Sequence, residues 1–155
     1  MIQKLVIVFL IFSCSNPKQE GLVVKVIDGD TIDILHNKKK TRIRLFGIDS
    51  PERGQAYSVK AREFTASLVS GKNVLVREQS RDQYGRVVGD VYLEDGTHVN
   101  AEIVKSGFAW HYKHYSNNPL LAQQETQARK QRRGLWQDAH PEPPWEFRKH
   151  KREKK

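Results

Sequence analysis

The sequence predicts an α+β fold in which five strands and about three helices share one domain. β-Branched runs with alternating apolar residues fill the first third of the chain and return after residue 72, and helical spacing appears between and after them. A length of 155 residues supports one core and not two. Apolar residues make up 37% and charged ones 29%, which excludes a disordered chain and a membrane bundle.

The first β run is Leu22-Val23-Val24-Lys25-Val26-Ile27. Thr31-Ile32-Asp33-Ile34-Leu35 and Thr41-Arg42-Ile43-Arg44-Leu45-Phe46-Gly47-Ile48 follow it. Asp28-Gly29-Asp30 and His36-Asn37-Lys38 supply the turns, so the three strands form an antiparallel meander. Pro51 ends the third strand. Residues 55–69 take helical spacing, with Ala56, Val59, Ala61, Phe64 and Leu68 inward and Lys60, Arg62 and Glu63 outward. Ser50 reads as the cap of that helix, with Pro51 in its first turn and Glu52 favouring its dipole.

Strands return at Asn73-Val74-Leu75-Val76-Arg77 and Val87-Val88-Gly89-Asp90-Val91-Tyr92-Leu93, and Asp95-Gly96 marks a tight turn. A short helix is expected from Val99 to Lys105, closed by Gly107 at positive φ. A longer one is expected from Leu120 to Arg133, with Pro119 at its start, Gly134 at its end and basic residues near the negative end of its dipole. Three prolines over residues 141–145 suggest an extended wrap, and the basic tail beyond reads as disordered. This order of elements is compatible with a small closed barrel such as the OB-fold, although periodicity alone does not choose it over another α+β sheet.

At the N-terminus, Lys4 precedes an apolar run over residues 5–12, shorter than the roughly 20 residues of a spanning helix. It reads as an export signal. Ile11-Phe12-Ser13-Cys14 resembles the processing box of bacterial lipoproteins, which would leave a lipidated Cys14 as a membrane anchor. An ordinary secretory signal is the alternative. The chain then divides into a signal over 1–14, a polar tether over 15–21, a folded domain over 22–137 and a basic tail over 138–155.

Lys and Arg number 27 against 18 Asp and Glu, a formal charge of +9 that attracts polyanions. Nucleic acid or an anionic surface is the expected partner. Asp30 and Asp49 offer hard oxygen ligands for Ca²⁺ while leaving room for water and a phosphate oxygen. Glu52 is placed to orient or deprotonate that water. Arg44 can donate two parallel hydrogen bonds to a phosphate, and Gly85 lets Arg86 turn toward the same site. Trp110, Tyr112 and Tyr115, with Lys113 between the tyrosines, either suit stacking on a base or include core aromatics, and Tyr84 carries the same two readings. His111 and His114 lack a third ligand for zinc.

Three motifs, Ile27-Asp28-Gly29-Asp30-Thr31, Arg44-Leu45 through Asp49-Ser50-Pro51-Glu52, and Asp82-Gln83-Tyr84-Gly85-Arg86, stand in the order and approximate spacing of the staphylococcal nuclease family. The chain resembles that family from about Leu22 to Trp136. The resemblance implies an OB-fold barrel with three helices, acting as a Ca²⁺-dependent endonuclease that leaves 3′-phosphate ends on DNA or RNA. It also implies metal ligation by Asp30, Asp49 and the Ser50 carbonyl, water handling by Glu52 and phosphate binding by Arg44 and Arg86. Against the family's pattern, Ser50 replaces a threonine and the loop after Glu52 is short. A monomer is expected, and the competing reading is a non-catalytic OB-fold module that binds nucleic acid through its basic surface.

Overall fold

The structure, a computed structural model, describes residues 18–154. The expected signal, Cys14 and the first part of the tether lie outside that range. Five strands close a barrel: β1 (Lys18–Asp28), β2 (Thr31–His36), β3 (Lys39–Leu45), β5 (Asn73–Arg81) and β6 (Val87–Leu93), in the order β1-β2-β3-β6-β5. All neighbours are antiparallel except β3 and β6, which run parallel. Between them, β4 (Ile48–Asp49) leaves the barrel and pairs with β7 (Trp110–His111). This is the OB-type barrel that the element order allowed.

Closure depends on the length of β1. Its first half, from Lys18 to Leu22, pairs with β5, and its second half, from Leu22 to Asp28, pairs with β2. Two register shifts along that second half bend the strand so that it can serve both neighbours. The tether expected over 15–21 is therefore strand from Lys18 onward. Lys18, Gln19 and Glu20 lack β propensity, and the main-chain ladder to β5 holds them extended.

The barrel interior is filled by Ile32, Ile34, Ile43, Leu45, Val74, Val76, Val87 and Val91, all essentially without exposed surface. Each contributes roughly 1.5–3 kcal/mol by burial. Helices α1 (Ser58–Val69) and α2 (Val99–Lys105) close the barrel, and α3 (Pro119–Lys130) packs on α2. A short 3-10 turn follows at Gly134–Gln137, then a fourth helix, α4 (Pro144–Glu153).

Two expectations are corrected here. The first helix begins at Ser58, after Tyr57 in the left-handed region, and Ser50 does not cap it. Ala61, Thr65 and Val69 form its buried face, Phe64 and Leu68 pack partly against the core, and Val59 is exposed. The basic tail is not disordered: most of it is α4, so there are four helices among the described residues rather than about three. Pro144 occupies the first turn of α4, and the helix is held by contacts to residues far away in sequence.

Candidate active site

Asp30 is the last residue of the turn between β1 and β2, where Gly29 permits close packing. A Cβ on Gly29 would lie 2.7 Å from the Ser50 side chain and 2.9 Å from Ala61 Cβ. Thr65 of α1 donates to the Gly29 carbonyl at 2.7 Å. The backbone N–H of Ser50 donates to Asp30 Oδ2 at 2.7 Å. The Asp-Gly-Asp turn is thus fastened to both α1 and the loop that carries the other site residues.

Asp49 lies in β4, five residues after Arg44 of β3. Arg44 Nη1 donates to the carbonyls of Leu45 and Ile48, at 2.9 and 2.8 Å, which fixes the guanidinium. Its Nη2 stands 3.1 Å from Asp30 Oδ2 and 3.0 Å from Asp49 Oδ1. Both carboxylates are nearly fully buried. Burial pushes the Asp49 carboxyl up, against hydrogen bonds from Arg148 and the charge of Arg44. Burial, and then the charge of Asp30, pushes the Asp28 carboxyl up to about 7.

Glu52 is in the loop after β4, where its backbone N–H donates to Gln55 Oε1 at 2.9 Å. Its side chain is two-fifths exposed and meets Arg148 of α4, whose Nη1 is 2.6 Å from Glu52 Oε1. Arg148 also reaches Asp49, with Nη2 at 2.8 Å from Oδ2 and Nη1 at 3.3 Å from Oδ1. The same pairing raises the Arg148 pKa despite partial burial of the guanidinium. The structure therefore brings together Asp30, Arg44, Asp49, Ser50 and Glu52, and adds Arg148.

Arg86 is held in its own turn. Its Nε donates to Asp82 Oδ2 at 2.6 Å, and its guanidinium lies over the Tyr84 ring. Burial opposes ionisation of Asp82, but hydrogen bonds from Arg86 and Tyr84 outweigh it and lower the pKa. The following residues Val87 and Val88 pair with Ile43 and Arg44, so Arg86 enters a strand directly beside that of Arg44. Among the aromatic candidates, Trp110 is a core residue, Tyr84 and Tyr115 are exposed, and Tyr112 is half buried. Tyr112 stacks on Trp145 of α4 with centroids 5.3 Å apart and meets the edge of Tyr115 at 5.0 Å.

Trp110, His111, Tyr112, Lys113, Glu125, Arg129 and Trp145 line a cavity of about 380 Å³ beside β7. Burial holds the His111 pKa down.

Sequence reasoning missed Arg148, Trp145 and Gln55. Gln55 lies in the loop at a position read as helical, and Arg148 belongs to a run of basic residues with nothing local to single it out. Trp145 carried the one available signal: a large aromatic after two prolines in a polar tail suggests a docked segment.

Chemically, one guanidinium nitrogen bridging two buried carboxylates marks a point where both donate oxygen to the same place. That donor set suits a hard cation with oxygen ligands. Among the described residues, no group of three or more His, Cys, Asp and Glu side chains is gathered to hold a metal by itself, so a cation here would draw further ligands from main chain, water or phosphate. A closed five-stranded barrel with acids and guanidinium groups clustered on its flank defines a small OB-fold nuclease.

Comparison with known proteins agrees. Residues 42–138 match the family model described as staphylococcal nuclease homologue. The chain is 47% identical over 131 residues to an Escherichia coli protein named uncharacterized endonuclease, covering 84% of this chain and 86% of that one. It is 40% identical over 139 residues to a micrococcal nuclease of Shigella flexneri, with 83% and 80% covered. Over 114 residues it is 46% identical to a probable staphylococcal-like nuclease of Oryza sativa subsp. japonica, matching 74% of this chain and 34% of that longer protein. The chain belongs to the staphylococcal nuclease family and is a nuclease of that family.

Proposed function

We propose that the protein is an exported, Ca²⁺-dependent endonuclease that hydrolyses DNA or RNA, or both, to 3′-phosphate ends, either held at a membrane through a lipidated Cys14 or secreted. The observation that carries the calcium reading is the convergence of Asp30 and Asp49 on the single nitrogen Arg44 Nη2. Asp30, Asp49 and the Ser50 carbonyl would hold the ion. When bound, the ion supplies positive charge beside a phosphate oxygen and lowers the cost of charge build-up there.

The residues of the chain do the rest. Glu52 takes a proton from an attacking water, whose oxygen forms a bond to phosphorus as the bond from phosphorus to the 5′ oxygen breaks. The leaving 5′ oxygen takes a proton from solvent water and departs as a 5′ hydroxyl, Glu52 returns its proton to solvent, and the phosphate stays on the 3′ side. Arg44 and Arg86 donate to the phosphate oxygens, and Arg86 must exchange Asp82 for the substrate to do so. Tyr84, Tyr112 and Tyr115 stand at exposed or half-buried positions suited to base stacking.

The test is cleavage of single-stranded DNA by the purified chain with Ca²⁺ or with excess EGTA, with analysis of product ends. Activity should require Ca²⁺, and Glu52→Gln should slow it by about 10²–10⁴-fold, the usual worth of a general base. Undiminished cleavage in EGTA would remove the calcium, and an unimpaired Glu52→Gln variant would remove the base.

A further inference from the structure

Among the described site side chains, Arg148 is the one that comes from α4, outside the barrel and its connecting loops. It lies 99 residues from Asp49 in sequence and is delivered by α4. Its fork is divided between two acids: Nη2 and Nη1 span the two oxygens of Asp49, and Nη1 also donates to Glu52 Oε1 at 2.6 Å. Arg148 is thus the contact that gives the Glu52 carboxylate an orientation.

A half-exposed ion pair would not hold a flexible glutamate well, because screening and side-chain entropy offset most of the attraction. Here the entropy is reduced in advance. Trp145, three residues before Arg148 and so on the same side of α4, lies flat on Tyr112 and edge-on to Trp110. Pro143 approaches the helix in an extended conformation that its ring already favours. Gln55 then ties the two ends together: its Oε1 accepts from the Glu52 N–H, and its Nε2 donates to the Glu142 carbonyl at 2.7 Å. The loop that carries Glu52 and the segment that carries Arg148 are fastened to one buried amide.

We propose that Arg148 is a positioning residue of the nuclease site: it sets the orientation of the Glu52 carboxylate, and the Trp145–Tyr112 stack sets the position of Arg148. The inference rests on the reading of Glu52 as the water-handling carboxylate. Glu52 stays two-fifths exposed under Arg148, so the guanidinium steers this carboxylate without sealing it from water.

The test compares the intact chain with Arg148→Ala, Arg148→Lys, Glu52→Gln and the Arg148→Ala/Glu52→Gln double variant, on single-stranded DNA with Ca²⁺. Arg148→Ala should lower kcat by about 10²-fold with little change in KM, the size expected for misplacing a catalytic group by about an ångström. Arg148→Lys should recover little, since a point charge cannot span Asp49 and Glu52 together. Dilute guanidinium should restore part of the rate to Arg148→Ala and none to Glu52→Gln, a rescue that a misfolded variant would not show. The double variant should be no slower than Glu52→Gln, because Arg148 acts through Glu52.

A fully active Glu52→Gln defeats the functional reading itself. With Glu52→Gln slow, an Arg148→Ala variant as fast as the parent shows an inert contact, and a faster one shows that α4 obstructs the site. A rise in KM at unchanged kcat, or a double variant slower than Glu52→Gln, means that Arg148 binds substrate independently. Each of these four results overturns the proposal.

Discussion

Asp33 has no exposed side-chain surface and lies between two fully buried isoleucines on β2. It is tolerated because Arg42 stands opposite it in register on β3, with Nε at 2.8 Å from Oδ1 and Nη2 at 3.1 Å from Oδ2. Hydrogen bonding from Arg42 outweighs burial and holds the Asp33 carboxyl below the usual range. A lowered folded-state pKa gives stability that is present above the unfolded value and is lost as pH falls through the folded one. Asp33→Asn should therefore cost about 1–2 kcal/mol at neutral pH, discounted because Arg42 is half exposed, and the deficit should shrink under acid. Urea unfolding of both proteins at neutral pH and near pH 3 checks the sign; a deficit that grew under acid would contradict it.

The same scale shows why some site residues were legible and others were not. Asp30, Arg44, Asp49 and Glu52 stand within short motifs, and the structure gathers them around the guanidinium groups of Arg44 and Arg148. Arg86 was expected beside them, but Asp82, four residues away, competes for it in this structure. Arg148 depends on contacts across most of the chain and leaves no local pattern.

Elements divide in a similar way. β2, β3 and β6 were readable because β-branched residues fill the barrel interior from each of them. The start of α1 was not: Ser50-Pro51-Glu52 has the composition of a helix cap, but the Ser50 N–H is spent on Asp30 and the helix waits until Ser58. α4 looked like a disordered tail because its sequence is mostly charged, and its order comes from Trp145, Gln55 and the acids of the site. Gly107 follows the end of α2 at positive φ, +77°, the conformation for which glycine is suited.

Its structural reason goes further than conformation. A Cβ on Gly107 would fall 2.2 Å from the Arg133 carbonyl oxygen, and one on Gly134 equally close to the Gly107 carbonyl oxygen, while Leu135 N–H donates to that carbonyl at 2.8 Å. Two backbones pass with no room for a side chain. Gly107→Ala should cost about 2–4 kcal/mol, the sum of left-handed strain and a main-chain collision. Gly71→Ala, also at positive φ but with open space around it, should cost only about 1–2 kcal/mol. Thermal or urea unfolding of the pair separates the two terms, and equal losses would rule out the collision.

For the whole molecule, the formal charge of +9 surrounds a site whose own carboxylates are neutralised by Arg44 and Arg148. Most of the excess is therefore free to meet a polyanion. Binding of single-stranded DNA, measured in EGTA to suppress cleavage, should weaken by at least about tenfold between roughly 50 and 200 mM salt, through counterion release. Affinity indifferent to salt would mean that stacking, not charge, holds the substrate. The strands follow from the alternation of apolar residues, but the barrel does not: its closure depends on β1 continuing back to Lys18, where main-chain pairing overrides composition.

The pairing of β4 with β7 spans only two residues on each side, and it sets Asp49 opposite Trp110. Trp110 packs against Trp136 and Trp145, so this ribbon joins the acidic half of the site to the aromatic cluster that anchors α4. A ladder this short opens as a unit. Release of the ribbon would therefore loosen Asp49 and the seat of Arg148 in one event, making the site's acids and their C-terminal clamp a single mechanical part rather than two.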